Sequence, residues 1–148
     1  RHLAPEGDVY QAGTLSGNPV AMAAGVTTLA ILEREEAWSR LEQLGRHLEA
    51  ALAPGLAGAP FPVQLVRQGS LFWMSLQAGA PPRRADAIDS GAAALYKKIF
   101  HGLLAKGIAL APSAYEVGFL SLAHRPADLD RLAAALGEIF AGLDGARG

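Results

Sequence analysis

The chain has 148 residues, 51% of them hydrophobic, enough for one domain with its own core. Its 13 Lys+Arg against 14 Asp+Glu leave a net charge of −1, which gives no electrostatic footprint for nucleic acid or an anionic membrane. Cysteine is absent, which excludes a disulfide-stapled module, a thiolate metal site, an iron–sulfur protein and a cysteine nucleophile, and fits a cytoplasmic protein.

Residues 1–17 read as an irregular lead-in punctuated by Pro5, Gly7, Gly13 and Gly17. The opening RHLAPEGDVY has neither the apolar core of a signal peptide nor the arginine-rich character of a transit peptide. It starts on Arg1 rather than Met, so the chain is expected to be a piece of something longer. Asn18-Pro19 then marks a helix start, since Asn caps well and Pro suits the first helical position. That helix is expected from Pro19 to about Leu32, with Met22, Val26 and Leu29 on one face. It is too short to span a bilayer. A second helix is expected from Ala37 to about Leu52, its stripe formed by Trp38, Leu41, Leu44, Leu48 and Leu52, and stopped by Pro54-Gly55.

Val63–Val66 and Leu71–Leu76 have strand composition, with Gln68-Gly69-Ser70 as a tight turn or bulge between them. After a Pro/Gly loop at 78–84, a third helix is expected over Ile88–Lys106. Leu95, Ile99, Leu103 and Leu104 form its stripe, and Gly107 follows as a left-handed C′ residue. Ile108–Leu110 and Phe119–Ala123 read as strands around a loop at Ser113–Gly118. A last helix runs from Pro126 to about Leu143, facing inward with Leu129, Leu132, Leu136 and Phe140. This order predicts an α+β fold, helices covering one face of a small, mostly antiparallel sheet.

Two stretches carry candidate chemistry. In GTLSGNP (Gly13–Pro19), backbone N–H groups, the Thr14 and Ser16 hydroxyls and a helix N-terminus can together receive an anion. The plainer reading is an ordinary N-cap after a glycine-rich turn. A nucleotide P-loop is excluded, because no Walker lysine follows. In APSAYEVGF (Ala111–Phe119), Glu116 is the only charged residue between Gly107 and Ala123. It is a candidate acid/base or amine-binding group, or else a solvated loop glutamate. Ser113 can orient a ligand or make a turn. His2, His47, His101 and His124 share no metal-ligand spacing, and His47 is expected in solvent. Lys97, Lys98 and Lys106 are expected on an exposed helix face, and Trp38 and Trp73 in the core.

VYQAGTLSGNPVAMAAG (Val9–Gly25) and LLAKGIALAPSAYEVGFLSLAH (Leu103–His124) closely resemble the C-terminal part of the glutamate-1-semialdehyde aminomutase family. That family lies within the class III aminotransferases, which are fold-type I pyridoxal-phosphate (PLP) enzymes. GTLSGNP is a group-level signal, and APSAYEVGF with its glutamate points to the aminomutases. The likeness covers essentially the whole chain in element order. It implies that residues 1–32 end a large-domain and dimer-interface segment with a linking helix, and that residues 33–148 form the C-terminal small α+β domain. It implies a cytoplasmic homodimer in which Gly13 and Thr14 reach the phosphate of the PLP held mainly by the other subunit. It places Glu116 near the amino groups of the substrate, with Ser113 and Tyr115 as loop neighbours. Tyr115 stands where the family pattern has phenylalanine, which adds one hydroxyl.

The implied reaction converts glutamate 1-semialdehyde to 5-aminolevulinate, the tetrapyrrole precursor, by exchanging amino and oxo groups through a diamino intermediate. The Schiff-base lysine of the family belongs to a segment before GTLSGNP, and none of Lys97, Lys98 or Lys106 matches its place. The 148 residues alone are therefore expected to be inactive, with a longer N-terminal portion supplying the lysine. The alternatives are another class III aminotransferase, a non-catalytic α+β dimerisation module, or an independent binder of a phosphate ligand.

Overall fold

The computed structural model describes residues 1–144, and they fall into two compact units that meet between Ala37 and Trp38. The first unit opens with turns and one parallel bridge between Leu3 and Val9. Helix α1 follows over Pro19–Arg34. The Asn18 side-chain oxygen accepts from the N–H groups of Val20 and Ala21, both at 3.1 Å, as the Asn-Pro pair predicts. No α1 residue is buried.

The second unit holds α2 (Ala37–Ala57, entered from the first unit), β1 (Gln64–Gln68), β2 (Leu71–Ser75), a 3₁₀ turn (Ala85–Ala87), α3 (Ala92–Ala105), β3 (Gly118–Phe119) and α4 (Pro126–Asp144). The three strands form one antiparallel sheet in the order β1-β2-β3. Gln68 pairs with Leu71, so Gly69-Ser70 is a two-residue hairpin turn, one of the two expected geometries. The α+β fold is thus as read from the element order.

One hydrophobic cluster unites this unit. Leu48 and Leu52 enter from α2 and Met74 from β2, while Tyr96, Ile99 and Leu103 come from α3. The predicted stripe of α4 completes it, with Leu129, Leu132, Leu136 and Phe140 each no more than 6% exposed. Phe61 meets Phe140 edge to face at 5.2 Å. Beside this core, Arg67 is only 13% exposed and ties the hairpin to α2 through Glu42 and Glu49, both at 3.1 Å. The Arg67 guanidinium, and after it that of Arg46, holds the Glu42 carboxyl below its usual range.

Several elements differ from expectation, each for a local reason. Helix α2 does not stop at Pro54 but runs on to Ala57. Proline withholds one N–H, yet Leu52 and Leu56 pack on the core either side of it, and Gly58 N–H closes the last turn on the Pro54 carbonyl at 3.1 Å. Trp38 is 63% exposed rather than part of the stripe. Helix α3 begins at Ala92, not Ile88, because the Asp89 carboxylate accepts the Gly91 N–H at 2.8 Å and holds residues 89–91 in a turn. Tyr96 is buried in its stripe where Leu104, half exposed, was expected.

Gly107 has φ +72° and ends α3 as predicted: its N–H meets the Leu104 carbonyl, and the Ile108 N–H meets that of Leu103. That second bond takes Ile108 out of ladder formation, so Ile108–Leu110 is not a strand. The strand expected over Phe119–Ala123 shrinks to Gly118–Phe119. After the Leu120 N–H bonds the Ser70 carbonyl, Ser121 and His124 close a turn.

Candidate functional site

The GTLSGNP stretch is a folded turn in the first unit. Ser16 N–H donates to the Gly13 carbonyl at 2.8 Å, and Asn18 N–H to that of Leu15 at 3.0 Å. A Cβ on Gly13 would lie 2.2 Å from the Ser16 hydroxyl, so a larger residue there would turn that serine side chain aside. The plainer reading of this segment, an N-cap after a glycine-rich turn, is what the structure shows. Asn18 occupies the Val20 and Ala21 amides, as an ordinary cap does, so those helix donors are not open to an anion. Thr14 is exposed, and no hydrogen bond among the described residues engages its hydroxyl or N–H. What the turn offers an anion is therefore Thr14 and its neighbouring amides.

Glu116 lies in the second unit, in the loop between Ala111 and Gly118. Its N–H donates to the Ser113 carbonyl at 3.2 Å, and the Tyr115 N–H donates to the Ser113 hydroxyl at 3.2 Å. Ser113 thus makes the turn that sets the loop, one of its two expected roles. The Glu116 side chain is exposed at the edge of a small crevice lined by Phe72, Trp73, Tyr96 and Leu110. Gly118 lies at the foot of the same loop. A Cβ there would sit 2.3 Å from the Phe72 ring, so no larger residue fits without moving the aromatic.

Two of the loop's carbonyls receive side-chain donors. Trp73 Nε1–H bonds the Ala114 carbonyl at 2.7 Å, and the Tyr96 hydroxyl bonds the Ala111 carbonyl at 2.6 Å. Burial, and then the nearby Glu116 charge, raise the Tyr96 hydroxyl above the usual tyrosine range. Sequence reading placed Trp73 in the core and left Tyr96 out. The signal it missed was the polar tip of each aromatic, which must find a partner once the ring is packed.

The other candidates are structural. His47 is not simply solvated: its Nε2 lies 2.7 Å from the Asp130 carboxylate, joining α2 to α4. His124 Nδ1 accepts the Ser121 N–H at 3.0 Å and caps a turn. Lys97 and Lys98 are exposed on α3. Lys106 pairs with Glu138 of α4 and has no open partner role. Among the described residues no group of His, Cys, Asp or Glu has metal-binding geometry, and no helix is long and apolar enough to cross a membrane.

The fold is that of one segment of the pyridoxal-phosphate aminotransferases. A β-phenylalanine aminotransferase from Variovorax paradoxus matches 97% of the chain at a TM-score of 0.78 and 29% identity, using 33% of its own length. The particular likeness is to glutamate-1-semialdehyde 2,1-aminomutases, in agreement with the motif resemblance. The relative of that name in Opitutus terrae (strain DSM 11246 / JCM 15787 / PB90-1) is 47% identical over 141 residues, 93% of this chain. A solved glutamate-1-semialdehyde aminomutase from Pseudomonas aeruginosa PAO1, in complex with PMP, superimposes on 94% of the chain at a TM-score of 0.74 and 25% identity, using 31% of its own length. The chain spans about a third of the length of the curated relatives it matches (33% of the Opitutus protein). No protein-family model matches it.

Proposed function

We propose that the chain is the C-terminal portion of a PLP-dependent aminomutase that converts glutamate 1-semialdehyde to 5-aminolevulinate in tetrapyrrole synthesis. The observation that carries the reading is the 47% identity to an aminomutase across 93% of the chain, with Glu116 held in a built loop. In this reading residues 1–32 end the large-domain and dimer-interface segment, and residues 33–148 are the small domain of a cytoplasmic homodimer.

The residues present fit part of a cofactor site. Thr14, with an unengaged hydroxyl and amide in an exposed turn just before a helix, suits a phosphate oxygen. Gly13 and Thr14 would contact the phosphate of the PLP held mainly by the partner subunit. No lysine here suits a Schiff base, since Lys97 and Lys98 are exposed on a helix and Lys106 is ion-paired. PLP, when bound, supplies the electron sink and carries the migrating amino group. This chain's own contribution is binding and orientation. Gly13 and Thr14 donate to phosphate, and the exposed Glu116 carboxylate accepts hydrogen bonds from the substrate's ammonium groups and sets which carbon they approach.

The test uses the protein read through its upstream frame, which must encode the lysine-bearing domain. Purified with PLP, it should form 5-aminolevulinate from glutamate 1-semialdehyde without an amino acceptor. Amino transfer to 2-oxoglutarate with no 5-aminolevulinate would instead make it another class III aminotransferase. Thr14→Ala should weaken PLP retention, read by cofactor absorbance after dialysis.

A further inference from the structure

We propose that Trp73 and Tyr96 are positioning residues that clamp the 111–117 loop at two of its carbonyls and so fix where Glu116 meets substrate; this rests on the reading of Glu116 just given. The two donors come from separate elements, Trp73 from β2 and Tyr96 from α3. They take the Ala114 carbonyl at 2.7 Å and the Ala111 carbonyl at 2.6 Å, three residues apart. Each donor is carried by a regular element of the second unit. Tyr96 is 6% exposed within the main core, and Trp73 lies on β2 opposite Val66 of β1.

The loop itself has little else to hold it. Ala114 is its buried anchor at 8% exposure, while Tyr115 and Val117 are 54% and 42% exposed. Its internal bonds, from the Tyr115 and Glu116 amides to Ser113, are both at 3.2 Å. The short outside bonds to Ala111 and Ala114 therefore set the position of the turn whose next residues carry the carboxylate. Trp73, Tyr96 and Glu116 line the same crevice, so a shift of either aromatic is felt at Glu116. A carboxylate that discriminates between adjacent amino groups needs placement finer than an exposed loop provides by itself.

The experiment compares Tyr96→Phe, Trp73→Phe and Glu116→Gln in the protein that carries the upstream domain. Tyr96→Phe removes one oxygen from a packed ring and is the variant that keeps the fold. Hydrogen exchange at the Tyr115 and Glu116 amides, followed by mass spectrometry, should quicken about tenfold in Tyr96→Phe and in Trp73→Phe and stay unchanged in α4. For 5-aminolevulinate formation, kcat should fall about tenfold in Tyr96→Phe, with KM and PLP content within twofold of the parent. In a Glu116→Gln background, Tyr96→Phe should cause no further loss.

Unchanged exchange in the loop overturns the clamp. A kcat loss that persists undiminished in the Glu116→Gln background overturns the action through Glu116. If the parent protein forms no 5-aminolevulinate, the functional reading fails, and the exchange result still decides the clamp.

Discussion

Helices α1 and α4 are equally apolar to the eye, and they end in opposite states. In α4, Leu129, Leu132, Leu136 and Phe140 are all at most 6% exposed. In α1, Val20, Met22, Val26 and Leu29 are between 57% and 78% exposed. Their spacing is helical in both cases. What differs is the company: α4 packs with apolar side chains from α2, β2 and α3 in its own unit, whereas in the first unit the other large apolar residues, Leu3, Val9, Tyr10 and Leu15, are themselves 49–83% exposed. Apolar periodicity therefore reports a helix but does not report a core. The core exists only where the rest of the chain supplies the opposing surface.

That contrast can be broken by mutation. The largest effect belongs to Phe140→Ala, which removes a ring that is 2% exposed and packed edge-on to Phe61. It should cost about 3–5 kcal/mol in urea unfolding. A loss below about 1 kcal/mol would mean that α4 is not the centre of the core.

A smaller effect is expected with pH. The Arg125 guanidinium, with the Arg125 backbone N–H, holds the Asp128 carboxyl below its usual range at the start of α4. A carboxyl lowered by folding adds stability above its unfolded value, and that contribution is lost as pH falls through the folded value. Asp128→Asn should therefore flatten the decline of the urea midpoint from about pH 4 downward and leave its slope at pH 7 unchanged. Because this pair faces water, the change should be modest and shrink in salt.

The smallest effect is expected in α1. Val26→Ser should alter unfolding of the second unit by no more than about 0.5 kcal/mol, whereas comparable truncations in α4 do not pass unnoticed. A large loss from Val26→Ser in the isolated 148 residues would show that the core of the second unit depends on α1.

The legible parts of the fold were those written in local chemistry. Asn18-Pro19, Gly107 and the α4 stripe each name their own structure through capping, positive φ or period. The illegible parts were decided by competition at a distance. Pro54 reads as a stop, and the packing of Leu56 carries the helix past it. Ile108–Leu110 reads as a strand, and α3 takes the first N–H for its own termination. At the candidate site the sequence marked Glu116 by its isolation among apolar residues. The Trp73 and Tyr96 donors were invisible, because their partners are 41 and 15 residues away in the chain.

The most direct test measures 5-aminolevulinate formation from glutamate 1-semialdehyde, side by side, on the isolated 148 residues and on the protein read through the upstream frame, both with PLP. A part-site without a Schiff-base lysine predicts formation by the longer protein and none above the buffer rate by the isolated chain. Appreciable formation by the isolated chain, or none by the longer protein, would contradict it.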